Sequence, residues 1–439
     1  MIRSAEKNGE RTDTMEKSDI RYQAYMKILR EELVPAMGCT EPIALAYCCA
    51  KARAVLGAVP DRCVVEASGN IIKNVKSVVV PNTGGLKGIE AAAAAGIVAG
   101  NEERELEVLS DVTARQKLEI KAYLEENHIE VRPLETEEVL DMAVTVYCGS
   151  NQARVRITGC HTKIVLMERN GEVLWEMAEQ KAVRRPDSDR TLLNVESICE
   201  FSNSVNTEEI SEILDCQIEY NTAISKEGLR NSYGANIGRT ILKAYGDRVE
   251  VRARAAAAAA SDARMSGCEL PVVINSGSGN QGLAASLPVI EYAKELKCSK
   301  ERLYRALVLS NLIAFHLKTG LGRLSAYCGA VSAGSGAGCG IAWLKGADFK
   351  AIAHTLVNSL AIVSGIVCDG AKPSCAAKIA ASVDAGILGY SMYLNGQQFY
   401  GGDGIVSKGV ENTIRNIGRL GKDGMKETDR EIIRIMTEC

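Results

Sequence analysis

Small residues, rather than large apolar ones, dominate the second half of this chain. The alanine run 255–260 and the glycines that follow Cys328 (Gly329, Gly334, Gly336, Gly338) leave little side chain to fill space between elements. Only 5% of the 439 residues are aromatic, against 40 glycines. Protein interiors are close-packed, so a core of this composition closes only if helices approach one another closely. The second half is therefore read as a compact helical domain with tight helix–helix contacts.

The first half reads differently. Residues 1–18 are polar and are expected to be a flexible tail. A helical pattern runs over 20–34, is broken at 35–38, and resumes near Pro42. The β-branched stretch 61–80 suggests two strands. Helices are expected over 86–98 and 116–127, and strands around 129–134, 141–147, 152–169 and 172–177. A polar break at 184–190 (RRPDSDR) is a domain boundary in this reading. Beyond it, helices are expected over 207–217, 221–244, 250–265, 281–296, 299–318, 323–345, 348–367 and 375–394. The expected fold is α+β: an N-terminal α/β domain over 19–190, whose first helices carry Cys39, joined to a larger, mostly helical, Gly/Ala-rich catalytic domain over 191–439.

Charge and hydropathy narrow the function. A net charge of −3 points to neither nucleic acid nor an anionic membrane as a partner. The N-terminus has no apolar h-region, and no apolar run reaches the roughly 18 to 20 residues of a membrane span. A cytoplasmic protein with a small-molecule substrate is expected, and a homodimer is left open. In a reducing compartment the 15 cysteines are not a disulfide framework. Most are read as packing residues, among them Cys48, Cys49, Cys160, Cys199 and Cys216. The four histidines show no metal spacing.

Three cysteines stand apart. Cys368 closes an apolar helix and Cys375 opens the next, with Gly370 and Pro373 in the turn between them and Ser374 placed to cap. Cys328 lies 40 residues earlier, and glycine-rich sequence follows it. Three thiolates suit soft metals, chiefly zinc or an iron–sulfur cluster, and three protein ligands leave a metal position open for catalysis. In MGCTEP (37–42), Thr40 or Glu41 can cap and Pro42 suits the first helical position. Cys39 then sits just before a helix N-terminus, where a lowered pKa would fit it to act as base or nucleophile. The loop NSGSGNQG (275–282) opens a helix and can cradle an anion, a substrate carboxylate better than a nucleotide; Ser276, Ser278 and Asn280 are its candidate contacts. PNTGG (81–85), with Asn82 and Thr83, is a candidate second polar wall, and Lys372 a further substrate contact.

With MGCTEP, PNTGG, NSGSGNQG, GRLSAYCGA (322–330) and VCDGAKPSCAAK (367–378) together, the chain resembles the L-cysteine desulfidases, relatives of the iron–sulfur L-serine dehydratases. The resemblance covers about residues 25–419. It implies one [4Fe–4S] cluster per chain held by Cys328, Cys368 and Cys375, with the fourth iron open to substrate, and Cys39 as the catalytic base. It implies β-elimination of L-cysteine to sulfide, ammonia and pyruvate through aminoacrylate. Cys39 and Cys375 look alike in sequence and are interchangeable in these roles. The terminal Cys439 is a candidate ligand of the open iron in the resting enzyme. Alternatives are an L-serine dehydratase with the same cluster, a pyridoxal phosphate enzyme using Lys318 or Lys372, and a non-catalytic iron–sulfur or amino-acid sensor.

Overall fold

A computed structural model of the chain describes residues 15–177, 189–322 and 325–438. A six-stranded sheet is built from β2 (Arg62–Ala67), β3 (His128–Pro133), β4 (Asp141–Cys148), β5 (Asn151–Thr158), β6 (Ile164–Arg169) and β7 (Glu172–Glu176), in the order β3-β2-β4-β5-β6-β7. Only β2 and β3 run parallel; the other neighbours are antiparallel. The two-residue alternation of β5 shows why the sheet has one apolar face. Ala153, Val155 and Ile157 are buried, while Arg154 and Arg156 turn to the other face and pair with Glu66 and Asp141. The buried face is covered by the helix Thr40–Leu56, and Gly88–Ala99 packs on that helix. A Cβ at Gly96 would lie 2.1 Å from the Ala46 carbonyl oxygen, so these two helices touch backbone to backbone.

The larger core is helical. The helices Val249–Met265, Gly279–Glu295, Lys300–Leu321, Gly329–Leu344, Phe349–Val363 and Cys375–Leu394 share one apolar cluster. Two of these helices meet glycine on glycine: a Cβ at Gly338 would sit 2.6 Å from Gly386 Cα. The first helix, Ile20–Glu32, packs into this cluster through Tyr22, Tyr25, Ile28 and Leu29. Phe201 meets the rings of Tyr22 and Tyr25 edge-on at 5.1 and 5.4 Å. Within the expected tail, Met15 is buried and its amide donates to Ser204 Oγ. A short strand β1 (Pro35–Met37) pairs antiparallel with β8 (Pro271–Val273), tying the approach to Cys39 to the segment that leads into 275–282.

The α+β expectation holds, with local differences in where elements fall. Residues 61–80 hold one strand, followed by the helix Gly69–Val75. Ile71, Ile72 and Val75 are spaced for a helix face as well as for a strand, and the helix buries Ile71 and Val75. The expected helices 207–217 and 221–244 divide elsewhere, into Ser211–Arg230 and Ile237–Tyr245. The chain turns between them through Gly234 and Asn236, both at positive φ. The expected helix 323–345 begins at Gly329, after Cys328. Among the described residues no helix is long and apolar enough to cross a membrane.

Candidate active site

One cavity of about 110 Å³ collects residues from both cores, including Cys39, Glu41, Lys73, His161, Arg264, Ser276, Ser278, Asn280, Gln281, Lys318, Cys328, Cys368 and Cys375. This is far below the roughly 300 Å³ at which drug-sized pockets begin, a scale for a ligand of few atoms.

Cys39 is the N-cap residue of helix Thr40–Leu56, in extended backbone. Pro42 is therefore the third helical residue, not the first. Gly38 precedes Cys39 with φ +57°, and a Cβ there would overlap the Pro81 ring at 2.0 Å. The Cys39 thiol donates to Glu41 Oε2 at 3.2 Å. Thr40 Oγ1 also lies 3.0 Å from Glu41 Oε2 and 3.0 Å from the Gly277 carbonyl, binding this turn to the 275–282 loop. The expected lowering of the Cys39 pKa is not found. Burial first, then the Glu41 carboxylate, raise it well above the ordinary thiol value, and Arg264 opposes them. A helix N-terminus favours a thiolate, but complete burial and an adjacent carboxylate outweigh it.

The three remaining cysteines are delivered by two segments held side by side. The Cys328 amide donates to the Ile366 carbonyl at 3.1 Å and the Cys368 amide to Ala326 at 2.6 Å, around a bridge between Tyr327 and Val367. Cys375 opens its helix, with its thiol 3.6 Å from the Gly370 carbonyl. Gly370, at φ +91°, lies so close to the helix Gly69–Val75 that a Cβ would meet the Lys73 carbonyl at 2.4 Å. Ser374 makes no side-chain capping bond. Burial, then the neighbouring Cys368 and, more weakly, Cys375, push the Cys328 thiol up to about 12. Burial likewise raises Cys375, against the amide of Lys372.

The predicted contacts divide. Ser276, Ser278 and Asn280 line the cavity; Asn82, Thr83 and Lys372 are not among its lining. Asn82 Nδ2 donates to the Leu109 carbonyl at 2.7 Å, and Thr83 Oγ1 to Val80 at 2.7 Å. Lys372 pairs with Asp369 and donates to two carbonyls of its own turn. Their polar groups hold loops together. Cys439 lies outside the described residues.

Sequence reasoning missed several wall residues, and it named Lys318 only as the Schiff-base lysine of a pyridoxal phosphate alternative. Lys318 is 7% exposed; burial pulls its pKa down, and the nearby Cys368 and Cys328 push it back up. Lys73 is buried and pairs with Asp429 at 2.5 Å. Arg264 ends an alanine helix, where its spacing gives no signal. His161, read as a surface or core residue, reaches the cavity beside Gly277. Glu41 stood inside a motif already singled out, but only as a cap.

The donor set fits the cluster that the resemblance implies. Three soft thiols open on one cavity, disfavour one another as thiolates, and have the ammonium groups of Lys318 and Lys378 within electrostatic reach. A metal core bound by all three would offset that mutual repulsion. Among the described residues no three His, Cys, Asp or Glu side chains converge as on a single metal ion. Ligands of a cluster bind different irons and stand farther apart, so the fit rests on donor chemistry and the shared cavity.

A model of the serine dehydratase alpha chain matches residues 103–434. A UPF0597 protein of Desulfitobacterium hafniense is 62% identical over 422 residues, covering 96% of this chain and 98% of its own length. Relatives of the same name from Lachnoclostridium phytofermentans and Treponema denticola are 52% and 46% identical, covering 94% and 95% of this chain and 99% and 98% of their own. The alpha-chain model takes in Cys328, Cys368 and Cys375, and these relatives extend the likeness over nearly the whole length: the chain belongs to the serine dehydratase alpha-chain family.

Proposed function

We propose that this protein is an iron–sulfur lyase that eliminates the β-substituent of a small L-amino acid, with L-cysteine as substrate. The observation that carries the reading is the opening of a Cys39–Glu41 pair and three further cysteines onto one small cavity. A [4Fe–4S] cluster on Cys328, Cys368 and Cys375 would supply an open, electrophilic iron that polarises the bond to the leaving group. Cys39 is a thiol in the resting protein, because its pKa is raised. As Glu41 takes the thiol proton, Cys39 Sγ takes the α-proton of the substrate. The Cα–H electron pair becomes the Cα–Cβ double bond, and the Cβ–S pair leaves with sulfur. The released aminoacrylate hydrolyses to pyruvate and ammonia. The alpha-chain match favours L-serine as a second substrate for the same groups, with hydroxide leaving.

The division of roles is tested by substitution under anaerobic purification. Cys39→Ala and Glu41→Gln are expected to keep iron content and colour while losing about 100-fold or more in kcat on L-cysteine or L-serine. Cys328→Ser, Cys368→Ser and Cys375→Ser are expected to lose the cluster. Loss of iron from Cys39→Ala would make Cys39 a ligand and overturn its role as base.

A further inference from the structure

Arg264 is 2% exposed, and its Nε has no hydrogen-bond partner among the described residues. No carboxylate among those residues forms an ion pair with it. Burying an unpaired guanidinium costs several kcal/mol. The group also sits in a place of its own sign. A Cβ at Gly279 would lie 2.2 Å from Arg264 Nε, so the guanidinium rests against the first residue of the 17-residue helix Gly279–Glu295. The Ser278 N-cap makes no side-chain bond to that helix end, which carries free N–H groups and the positive end of the dipole. A buried cation against a positive helix end is stable only with an anion between them. The same cavity holds groups of the opposite need. Asn280 Oδ1 and Gln281 Oε1 are buried acceptors without a donor among the described residues, and both residues line the cavity.

We propose that Arg264 and the N-terminus of helix Gly279–Glu295 form a carboxylate subsite, and that Asn280 and Gln281 receive the α-ammonium. The cavity thus selects free α-amino acids and rejects their amides, esters and carboxyl-linked peptides. The proposal rests on the lyase reading for its choice of an amino acid, and sharpens it by placing the carboxylate next to Cys39. A guanidinium–carboxylate pair at a helix N-terminus fixes both the position and the plane of the acid.

L-alanine, which has the free carboxylate but no leaving group, separates binding from turnover. In the anaerobically purified holoprotein, calorimetry is expected to detect L-alanine and to find L-alaninamide at least tenfold weaker. Arg264→Gln is expected to weaken L-alanine at least tenfold, with Arg264→Lys in between, while the cluster spectrum stays unchanged. Without ligand, Arg264→Gln is expected to melt higher than the native chain, because it removes an unpaired buried charge; a purely structural arginine would lower the melting point. Equal affinity of native and Arg264→Gln protein for L-alanine, or of the native protein for L-alanine and its amide, overturns the subsite. Arg264-dependent binding of L-alanine with no turnover of L-cysteine or L-serine would leave the subsite standing and remove the lyase reading.

Discussion

Burial decides the chemistry of individual side chains here more than position in an element does. Cys39 has the helix-start placement that its neighbours in sequence announce, yet the enclosing wall and Glu41 keep it protonated. Its location was legible from Gly38 and Pro42; its protonation state was not, because that depends on Glu41, Arg264 and the cavity they share. Asp262 illustrates the same competition. It is 1% exposed, with Oδ1 unpartnered and Oδ2 accepting from the Gly238 amide at 3.3 Å. Burial pushes its pKa up to about 6, against the backbone amides around residues 235–238. The folded protein therefore holds a proton that the unfolded chain has released, and stability from this group grows as pH falls from about 6 toward 4 and is lost as pH rises through 6. Asp262→Asn is expected to remove that slope and to stabilise the protein at pH 8 by about 1–2 kcal/mol, after allowance for solvent screening. Urea unfolding of both proteins at pH 5 and pH 8 checks it; parallel changes at the two pH values would contradict it.

Elements carry residues into the cavity along routes that local sequence does not announce. Alternation in β5 could be read directly; the Thr113–Gln116 capping box that starts Ala114–Glu126 lies before the expected helix start at Gln116. The helix Gly69–Val75 could not be read directly. Its apolar spacing also suits a strand, and its outer face is completed by the C-terminal helix Lys426–Glu438, more than 350 residues away. Asp429 of that helix accepts from Asn70 Nδ2 at 2.9 Å and pairs with Lys73, and Ile433 packs where a Cβ on Gly69 would lie. Lys73 in turn backs Gly370 in the cysteine-bearing loop. Asp429→Ala leaves a buried ammonium unpaired and is expected to cost about 3 kcal/mol. Amide exchange should quicken in both helices before the rest of the molecule. Unchanged exchange in Gly69–Val75 would show that the C-terminal helix does not brace it.

At the scale of the whole molecule, the small-residue composition does two things. It lets helices approach to backbone contact, as at Gly338 and Gly386, and it leaves a small cavity where the helical core meets the sheet-bearing one. The α+β architecture and the three cysteines were legible, because periodicity, glycine runs and paired helix ends are local signals. The meeting of Cys39 with Cys328, Cys368 and Cys375 was legible only through resemblance. It depends on the pairing of β1 with β8, the Thr40–Gly277 contact and the bridge between Tyr327 and Val367, each joining residues distant in sequence. That Asn82 and Thr83 do not line the cavity was not legible for the same reason: a strand–loop–helix pattern shows that a loop is present, not which way its polar groups turn.

The central claim is that the shared cavity holds a catalytic iron–sulfur centre. Its most direct measurement is metal and acid-labile sulfide analysis of anaerobically purified protein, with sulfide, ammonia and pyruvate followed on L-cysteine and L-serine in the same sample. The account predicts about four irons and four sulfides per chain, with stoichiometric pyruvate and ammonia from at least one of the two amino acids. Stoichiometric zinc in place of iron, or a full cluster with no turnover of either, would contradict it.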